Sequence, residues 1–331
     1  MQASPPCHVY LLHPDEVAKD IPQAAAACYE QLLAGFAIQS HTAHVLAPDP
    51  ENAEIILAPI RTAGYGLISE TLRASPIYRR HAGKLVVYSP EDGEFPAVRG
   101  LYPSVPRKWV RRGWAMPAHY ISTHIHQFVF RRDEIVNKDI LLSFVGSSRT
   151  HPVREKIVRW RDPAGVVIDS SSRADPKYWW EKPDKEQLIA SYRDITRRSK
   201  FVVCPRGVSA SSIRLFEAME AGAVPVIVAD DLELPLGPAW EEFSLRVRER
   251  DVDDIPKLVE RWQGQSGRMG REARLAWESY FSPGATVGSI VRWAGLLLRH
   301  SGRRPAMIRL AEFTSPRLAR TKVRHLLSRA H

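Results

Sequence analysis

The chain has 331 residues, 44% of them hydrophobic and 25% charged, which is enough for two cores of ordinary size and excludes a disordered or fibrous protein. Its formal net charge of +10 favours anionic partners: nucleic acid, anionic lipid or phosphorylated small molecules. The three cysteines have no C-x-x-C spacing, we find no secretory leader, and no apolar run approaches the ~20 residues of a membrane span. We therefore expect a cytoplasmic protein, soluble or peripheral at the inner face of the membrane.

The first part of the chain alternates short apolar strands with helical patterns. Strands are predicted at 8–12, 54–58 and 85–88, and helices at 21–34 and 67–72. A charged stretch at 131–138 then precedes a change of pattern. We therefore expect an N-terminal α/β domain over residues 1–137.

From residue 138 the alternation of strand and helix becomes regular. Strands are predicted at 140–145, 166–168, 200–204, 224–229 and 243–247, and helices at 184–198, 212–221 and 254–262. This alternation implies a parallel sheet covered on both faces, in a second domain over residues 138–300. Ligands of such sheets bind at the carboxyl ends of the strands, which directs attention to the loops after Val145, Cys204 and Ala229.

The last residues, 301–331, form a separate basic tail or helix in our interpretation. Arginines and lysines alternate there with leucine, isoleucine and valine. The pattern fits a basic amphipathic helix on an anionic membrane, and it also fits a solvated terminal helix.

The segment from Lys200 to Asp231 has the order strand, loop, helix, strand and carries the strongest chemical signal. A helix N-terminus attracts anions through its dipole and its free backbone N–H groups, so the loop before this helix is a candidate phosphate site. Its candidate binding residues are Arg206, Gly207, Ser209, Ser211, Ser212 and Arg214. Either Ser211 or Ser212 is the expected N-cap.

Glu217 lies one turn after Arg214 on roughly the same helix face. A carboxylate there is placed to accept hydrogen bonds from a ribose diol behind the phosphates. An ordinary capped helix with an Arg–Glu pair explains the same residues equally well. The residues alone leave both interpretations open.

The stretch CPRGVSASSIRLFEAMEAGAVPVI, which begins at Cys204, resembles the exostosin family of glycosyltransferases. The likeness extends upstream through Phe144, Arg154 and Tyr192, and downstream from Trp240 to Leu258. The motif DPENAE at 49–54 is a fainter echo of the same family in the first domain. Because this chain is shorter than the animal exostosins, with no expected membrane anchor or second catalytic domain, we expect a bacterial-type transferase with a single pair of domains.

The resemblance implies two facing Rossmann-like α/β domains, the GT-B type of glycosyltransferase architecture, with the acceptor on the first and a nucleotide-sugar donor on the second. By carry-over, Arg206 and Arg214 hold the diphosphate and Glu217 the ribose. The facing phosphate loop consists of Gly146, Ser147, Ser148 and Arg149. The expected reaction is inverting transfer from a UDP-sugar to a glycan or glycolipid acceptor in polysaccharide biosynthesis. It needs no resident cofactor or metal, since arginines and a helix dipole can stabilise the departing diphosphate.

An inverting displacement needs a base that takes the proton of the acceptor hydroxyl, and we expect this base from the first domain. Asp92, which follows the strand at 85–88, is the preferred candidate and Glu91 the second. An Asp before Gly is also a routine turn residue, so turn formation explains Asp92 as well.

No metal site is predicted. Asp251 and Asp253 have the D-x-D form of metal-dependent transferases, but they open a predicted helix, where acidic residues suit the dipole. The histidines His119, His124 and His126 have no neighbouring cysteine or carboxylate that completes a metal site.

Interleaved aromatic and basic residues support the alternative interpretations. The run Tyr-Trp-Trp at 178–180, and Trp109 and Trp114 among basic neighbours, are side chains that stack on sugars or bind polyanions. Those basic neighbours are Arg107, Lys108, Arg111 and Arg112. The basic residues match no nucleic-acid motif, and we expect no nucleic-acid partner. A non-catalytic polyanion- or nucleic-acid-binding protein and a catalytically silent transferase-like subunit stay open as alternatives.

Overall fold

A computed structural model of the protein describes residues 6–17, 23–38, 44–60, 67–89, 92, 95–121, 137–161, 165–171, 183–300 and 304–314. The strands are β1 (Cys7–Leu11), β2 (His44–Leu46), β3 (Ile55–Pro59), β4 (Leu85–Tyr88), β5 (Gly100–Tyr102), β6 (Ala115–Pro117), β7 (Ile140–Gly146), β8 (Gly165–Asp169), β9 (Ser199–Pro205), β10 (Val224–Val228) and β11 (Leu245–Val247). The helices are α1 (Gln23–Ile38), α2 (Leu67–Ala74), α3 (Pro76–His81), α4 (Pro152–Ile157), α5 (Lys185–Arg198), α6 (Arg214–Glu220), α7 (Trp240–Phe243), α8 (Ile255–Trp262), α9 (Ser266–Tyr280), α10 (Pro283–Arg299) and α11 (Ala306–Thr314).

The described residues form two compact units. The first unit comprises those within 1–123, 231–236 and 280–331, and the second those within 124–230 and 237–279. Each unit has its own sheet, whose strands pair in parallel. The prediction of two Rossmann-like α/β units, the components of the GT-B type, is therefore confirmed.

The sheet of the first unit has the strand order β2-β1-β3-β4-β5-β6 in the described part of the chain. Strands β3 and β4 consist of apolar or aromatic residues that are buried throughout. Leu72 of α2 belongs to the same buried cluster as Ile56 and Val87 of these strands. A run of apolar residues without polar alternation is what a parallel strand covered on both faces requires.

Helix α10 belongs to this first unit, whereas the sequence placed residues 280–300 with the second domain. It packs against α1, β3, β5 and β6. At the contact with α1, a Cβ on Gly35 would lie 2.7 Å from Cγ2 of Val287, so only glycine allows this approach. Trp293 is buried and its indole N–H donates to the carbonyl of Leu236 at 2.9 Å. The apolar face of α10 thus selects the first sheet, which local periodicity does not indicate.

The sheet of the second unit has the order β11-β10-β9-β7-β8 among the described residues. The predicted strands at 140–145, 166–168, 200–204 and 224–229 correspond to β7, β8, β9 and β10. The core between sheet and helices includes Phe144, Phe201, Val226, Val259 and Met269. In the part of the chain that the structure describes, no helix has both the length and the apolarity needed to cross a bilayer.

Candidate functional site

The loops that carry the predicted site residues of the second unit follow β7 and β9, and the loop after β10 is the third that the sequence singled out. In a parallel sheet the carboxyl ends of neighbouring strands lie along one edge, and β7 and β9, like β9 and β10, are hydrogen-bonded neighbours. The loop after β7 begins at Ser147 and the loop after β9 begins at Arg206. The structure thus brings the two predicted loops to the same edge of the sheet.

Arg214 is anchored to β7 from the first turn of α6. Its Nε donates to the carbonyl of Val145 at 2.6 Å, and its guanidinium lies over the ring of Phe144, 5.8 Å from the ring centre. A Cβ on Gly146 would lie 2.6 Å from Nη2 of Arg214. Gly146 is therefore needed here for space beside the guanidinium.

Glu217 is buried, with 5% of its surface exposed. The hydroxyl of Tyr192, on α5, donates to its Oε2 at 2.5 Å. Burial raises the pKa of Glu217, while the charge of Arg214 and the Tyr192 hydrogen bond oppose the shift. The carboxylate thus links α6 to α5. Sequence reasoning did not identify Tyr192 as its partner, and ribose binding by Glu217 stays a prediction.

Arg206 forms an ion pair at the start of the loop after β9. Its Nη1 lies 3.6 Å from Oε1 of Glu249, and its backbone N–H donates to the carbonyl of Val228. Glu249 and Asp230 each accept a hydrogen bond from the other's backbone N–H at 3.1 Å. The guanidinium of Arg206 is therefore held from the segment after β11 by a carboxylate that sequence reasoning missed.

His151 also faces this carboxylate, with Nε2 at 3.8 Å from Oε2 of Glu249. Burial and then the charge of Arg206 lower the pKa of His151, and Glu249 opposes them. The Nδ1 atom of His151 accepts from the backbone N–H of Val153 at the start of α4. The ring acts as a helix cap beside the arginine.

Arg154 ties the two loops together. Its guanidinium donates to the carbonyls of Arg206 at 2.8 Å, Pro205 at 3.0 Å and Ser147 at 3.3 Å. Only 4% of the residue is exposed, and the guanidinium lies over Phe144 on the core side. The sequence indicated this arginine only through the family resemblance, because its partners are backbone atoms that carry no sequence signal.

Ser148 is bound to a neighbouring strand end. Its backbone N–H and its hydroxyl donate to the carboxylate of Asp169 at 3.0 and 2.6 Å. Burial acts to raise the pKa of Asp169, but the hydrogen bonds from Ser148 and Ser171 outweigh it and the pKa is lowered. The Oγ of Ser147 accepts from the backbone N–H of exposed Arg149. The hydroxyl of Ser148 is thus committed to Asp169, and phosphate binding by this loop stays a prediction.

The serines before α6 do not cap it as predicted. The residue before the helix is Ile213, with no side-chain capping bond, and the carbonyl of Ser212 accepts from the N–H of Leu215 instead. The Ser212 hydroxyl is buried without a hydrogen-bond partner among the described residues. Ser209, Ser211 and Gly207 are also buried, and the N–H of Gly207 donates to the carbonyl of Ser211 at 3.2 Å.

In the first unit, Asp92 is exposed and accepts a hydrogen bond from the hydroxyl of Tyr120. His119 is a core residue: its Nε2 lies 3.1 Å from Oγ1 of Thr286, and its ring packs against Phe281 and Trp293.

Some predictions concern residues that the structure does not describe. Glu91, His124, His126 and the aromatic run at 178–180 lie outside the described residues.

Two further predictions are corrected by the contacts. Trp114 is buried, and its indole N–H donates to the carbonyl of Pro96, so it is not a sugar-stacking surface. Asp251 pairs with Arg250, and Asp253 accepts from the indole of Trp160, so neither provides a side-chain cap. Among the described residues no three His, Cys, Asp or Glu side chains are grouped as a metal site would require.

Fold and site together define a class: an α/β protein of two Rossmann-like units, with arginines fixed at the carboxyl edge of the second sheet. Residues 121–262 match the Exostosin GT47 domain. This part of the chain is an exostosin-family domain, and the resemblance inferred from the residues is confirmed.

Relatives of known name agree with this match. The chain is 33% identical over 125 residues to "Probable glucuronoxylan glucuronosyltransferase IRX7" of Arabidopsis thaliana, covering 37% of this chain and 27% of the relative. It is 39% identical over 107 residues to "Probable beta-1,4-xylosyltransferase IRX10" of the same plant, covering 30% and 25%. The alignments thus span about a quarter of these curated relatives. AviGT4, a glycosyltransferase involved in avilamycin A biosynthesis, is a structural neighbour with a TM-score of 0.44 and 14% identity, covering 89% of this chain and 98% of its own.

Proposed function

We propose that the chain is an inverting, metal-independent glycosyltransferase that transfers a sugar from a UDP-sugar to a glycan or glycolipid acceptor in polysaccharide biosynthesis. The observation that carries the proposal is the pair of arginines, Arg206 and Arg214, fixed at the edge of the second sheet within the exostosin-family part of the chain. The two plant relatives described above are named as a probable glucuronosyltransferase and a probable xylosyltransferase.

Arg206 and Arg214 are suited to bind a diphosphate because their orientation is set before any ligand arrives. Arg214 is fixed by the carbonyl of Val145, and Arg206 by the carboxylate of Glu249. Arg154 holds the backbone of both loops at fixed spacing. Such preorganised donors stabilise charge that develops in a transition state without reorganisation at the moment of reaction.

In the proposed reaction the acceptor hydroxyl oxygen bonds to the anomeric carbon from the face opposite the diphosphate. The bond from this carbon to the diphosphate oxygen breaks with its electron pair, which leaves the nucleoside diphosphate with one more negative charge. Arg206 and Arg214 interact most strongly with this departing charge, so they lower the barrier as well as binding the donor. Attack from the opposite face inverts the anomeric configuration.

Asp92 is the proposed base that accepts the proton of the acceptor hydroxyl. Its carboxylate is solvent-exposed and oriented by the hydroxyl of Tyr120. Tyr120 donates to Oδ1, and a carboxylate has further lone pairs with which to accept a second hydrogen bond.

A thermal-shift titration tests donor binding in the full chain. Uridine, guanosine and cytidine diphosphates are added with a chelator present, and a ligand at a hundred times its Kd stabilises the folded state by about 2.7 kcal/mol. We expect a shift with uridine diphosphate that is reduced in Arg214→Ala and kept in Arg159→Ala, an exposed arginine of the same unit that pairs with Glu155. Binding that requires added divalent metal contradicts the metal-independent mechanism.

A second measurement separates an enzyme from a catalytically silent subunit. The full chain is incubated with UDP-sugars, and released uridine diphosphate is measured with and without glycan acceptors. We expect slow hydrolysis that Asp92→Asn and Arg214→Ala reduce. Binding without any turnover would identify a binding subunit instead.

A further inference from the structure

The segment before β6 and helix α11 form one surface of the first unit. Ile308 of α11 is fully buried in a cluster with Tyr102, Val105, Trp114 and Ala115. Trp109 and Val110 pack against this cluster as well. The basic and aromatic segment at 106–112 and the start of the basic tail, which are far apart in the sequence, are thus neighbours in the fold.

One polar contact joins the same two segments, and a second joins the segment at 106–112 to the end of α10. Nη2 of Arg111 lies 3.5 Å from the sulfur of Met307, and Nη2 of Arg112 lies 2.8 Å from Nε2 of His300 at the end of α10. We call the exposed side chains of this region the α11 surface. Its members are Lys108, Arg112, Met307, Arg309 and Leu310.

The α11 surface combines exposed apolar side chains with positive charge. Leu310 has 63% and Met307 40% of its surface exposed. Lys108, Arg112 and Arg309 are exposed as well, and the ammonium of Lys108 lies 5.5 Å from the ring centre of Trp109. Arg107, next to this surface, is already neutralised by an ion pair with Glu233.

From this combination we propose that the α11 surface binds an anionic lipid bilayer, with Leu310 and Met307 entering the headgroup region and the three cations facing lipid phosphates. An interfacial helix needs both an apolar face and cations beside it, and α11 supplies both while Ile308 fixes it to the unit. A soluble polyanion would use the cations alone. The exposed leucine and methionine therefore favour lipid, and the proposal is independent of transferase activity.

Co-sedimentation of the full chain with vesicles tests this proposal. We expect binding to vesicles containing phosphatidylserine and little binding to pure phosphatidylcholine. Each basic residue near an anionic surface increases affinity about fivefold, so the triple variant Lys108→Glu, Arg112→Glu, Arg309→Glu is expected to lose about a hundredfold or more. The matched control reverses exposed arginines elsewhere, Arg80→Glu, Arg159→Glu, Arg250→Glu, with the same change in net charge.

The apolar contribution is tested by Leu310→Gln, which leaves every charge in place and changes a largely exposed side chain. We expect about a tenfold loss of binding to anionic vesicles, set by the apolar surface that no longer leaves water. Leu275→Gln, at an exposed leucine of α9, is the control and is expected to bind as the wild type does.

Three outcomes overturn the proposal. Equal loss in both charge-reversal triples would mean that binding follows net charge alone. Vesicle binding that is unchanged in Leu310→Gln, together with tight binding of heparin that the first triple abolishes, would identify a soluble polyanion as the partner. Equal binding of neutral and anionic vesicles would exclude a role for the cations.

Discussion

Arg99 in the first unit and Arg154 in the second are both buried, and each donates to three backbone carbonyls beside an aromatic ring. The partners of Arg99 are the carbonyls of Ala82, Gly83 and Gly113, at 3.2 to 3.3 Å, with the ring of Trp114 nearby. These carbonyls precede β4 and β6, so Arg99 closes the amino edge of the first sheet. Arg154 has the same bonding at the carboxyl edge of the second.

Arg99 and Arg154 make the same kind of hydrogen bonds at opposite edges of their sheets, so they join different kinds of segment. Around Arg99 the joined segments are turns without predicted ligand-binding residues. Around Arg154 they are the two loops that begin at Ser147 and Arg206. The carboxyl edge of the first sheet is closed instead by Tyr88, whose hydroxyl donates to the carbonyl of His119. One edge thus carries the polar loops of the proposed diphosphate site, and the other is part of a core.

The largest expected effect comes from removing Arg154. Arg154→Met leaves three carbonyls, one buried and two partly buried, without their donor. We therefore expect a loss of stability of roughly 3 kcal/mol in the second unit, measured by urea denaturation. We also expect at least tenfold weaker binding of uridine diphosphate, because the spacing of the two loops is released.

The control is Lys138→Met in the same unit. The Lys138 ammonium donates to the carbonyls of Arg197, Ser199 and Ala221 at 2.9 to 3.1 Å, at the amino edge of the sheet. Lys138→Met is expected to destabilise the second unit about as much as Arg154→Met does, and to leave the nucleotide affinity of the folded protein unchanged. Equal loss of nucleotide affinity in Arg154→Met and Lys138→Met would contradict the proposal that the carboxyl edge of the sheet holds the nucleotide.

Arg214→Ala tests whether an arginine at the carboxyl edge of the second sheet acts in the chemical step. Loss of one preorganised donor to the departing diphosphate is expected to lower kcat by about a hundredfold, with a smaller effect on KM for the donor. Steady-state kinetics with a saturating acceptor measure both constants. A raised KM at unchanged kcat would instead assign Arg214 to ground-state binding.

Glu220 shows how burial changes the pKa of a carboxyl group in the second unit. Its Oε2 is buried with no hydrogen-bond partner among the described residues, and burial raises its pKa to about 8, against the opposing charge of Arg274. The folded state then holds a proton that the unfolded state releases near the ordinary pKa of 4.5. The neutral carboxyl therefore contributes fully to the free energy of unfolding below pH 4.5, and this contribution is lost as the pH rises through about 8.

Glu220→Gln is therefore expected to stabilise the protein at pH 8 by on the order of 2 kcal/mol, and to change it little at pH 4.5. Urea denaturation at both pH values measures the difference. A constant effect of the substitution across this range would contradict the assigned protonation of Glu220.

The smallest expected effect is that of Gly146→Ala. Its Cβ would lie 2.6 Å from Nη2 of Arg214, the mobile end of a side chain, so the guanidinium must move while the fold is retained. We expect about a tenfold fall in kcat, less than the loss in Arg214→Ala because the charge is displaced and not removed. Gly264→Ala, where an added Cβ meets no atom within 4 Å, is the control. Unchanged kcat in Gly146→Ala would indicate that Arg214 acts elsewhere.

Much of the fold could be predicted because its signals are local. The buried strand β4 is a continuous apolar run and β7 is interrupted only by Ser143. The helix predicted at 212–221 corresponds to α6, and Gly222, which follows it, has a φ of +62°, which favours glycine. The start of α6 was predicted wrongly. The backbone N–H groups of its first turn donate to the backbone carbonyls of Ser212 and Ile213 and not to a serine side chain.

The sequence by itself determined two parallel α/β units and an exostosin-family segment with Arg206 and Arg214 in its loops, since apolar periodicity and a contiguous motif are properties of neighbouring residues. Only the tertiary structure decided which groups those residues contact. Glu217 meets Tyr192, Ser148 meets Asp169, and α11 meets the segment at 106–112. These partners lie on separate elements, and packing selects them by shape and by the need of each buried polar group for a hydrogen bond, which no local pattern specifies.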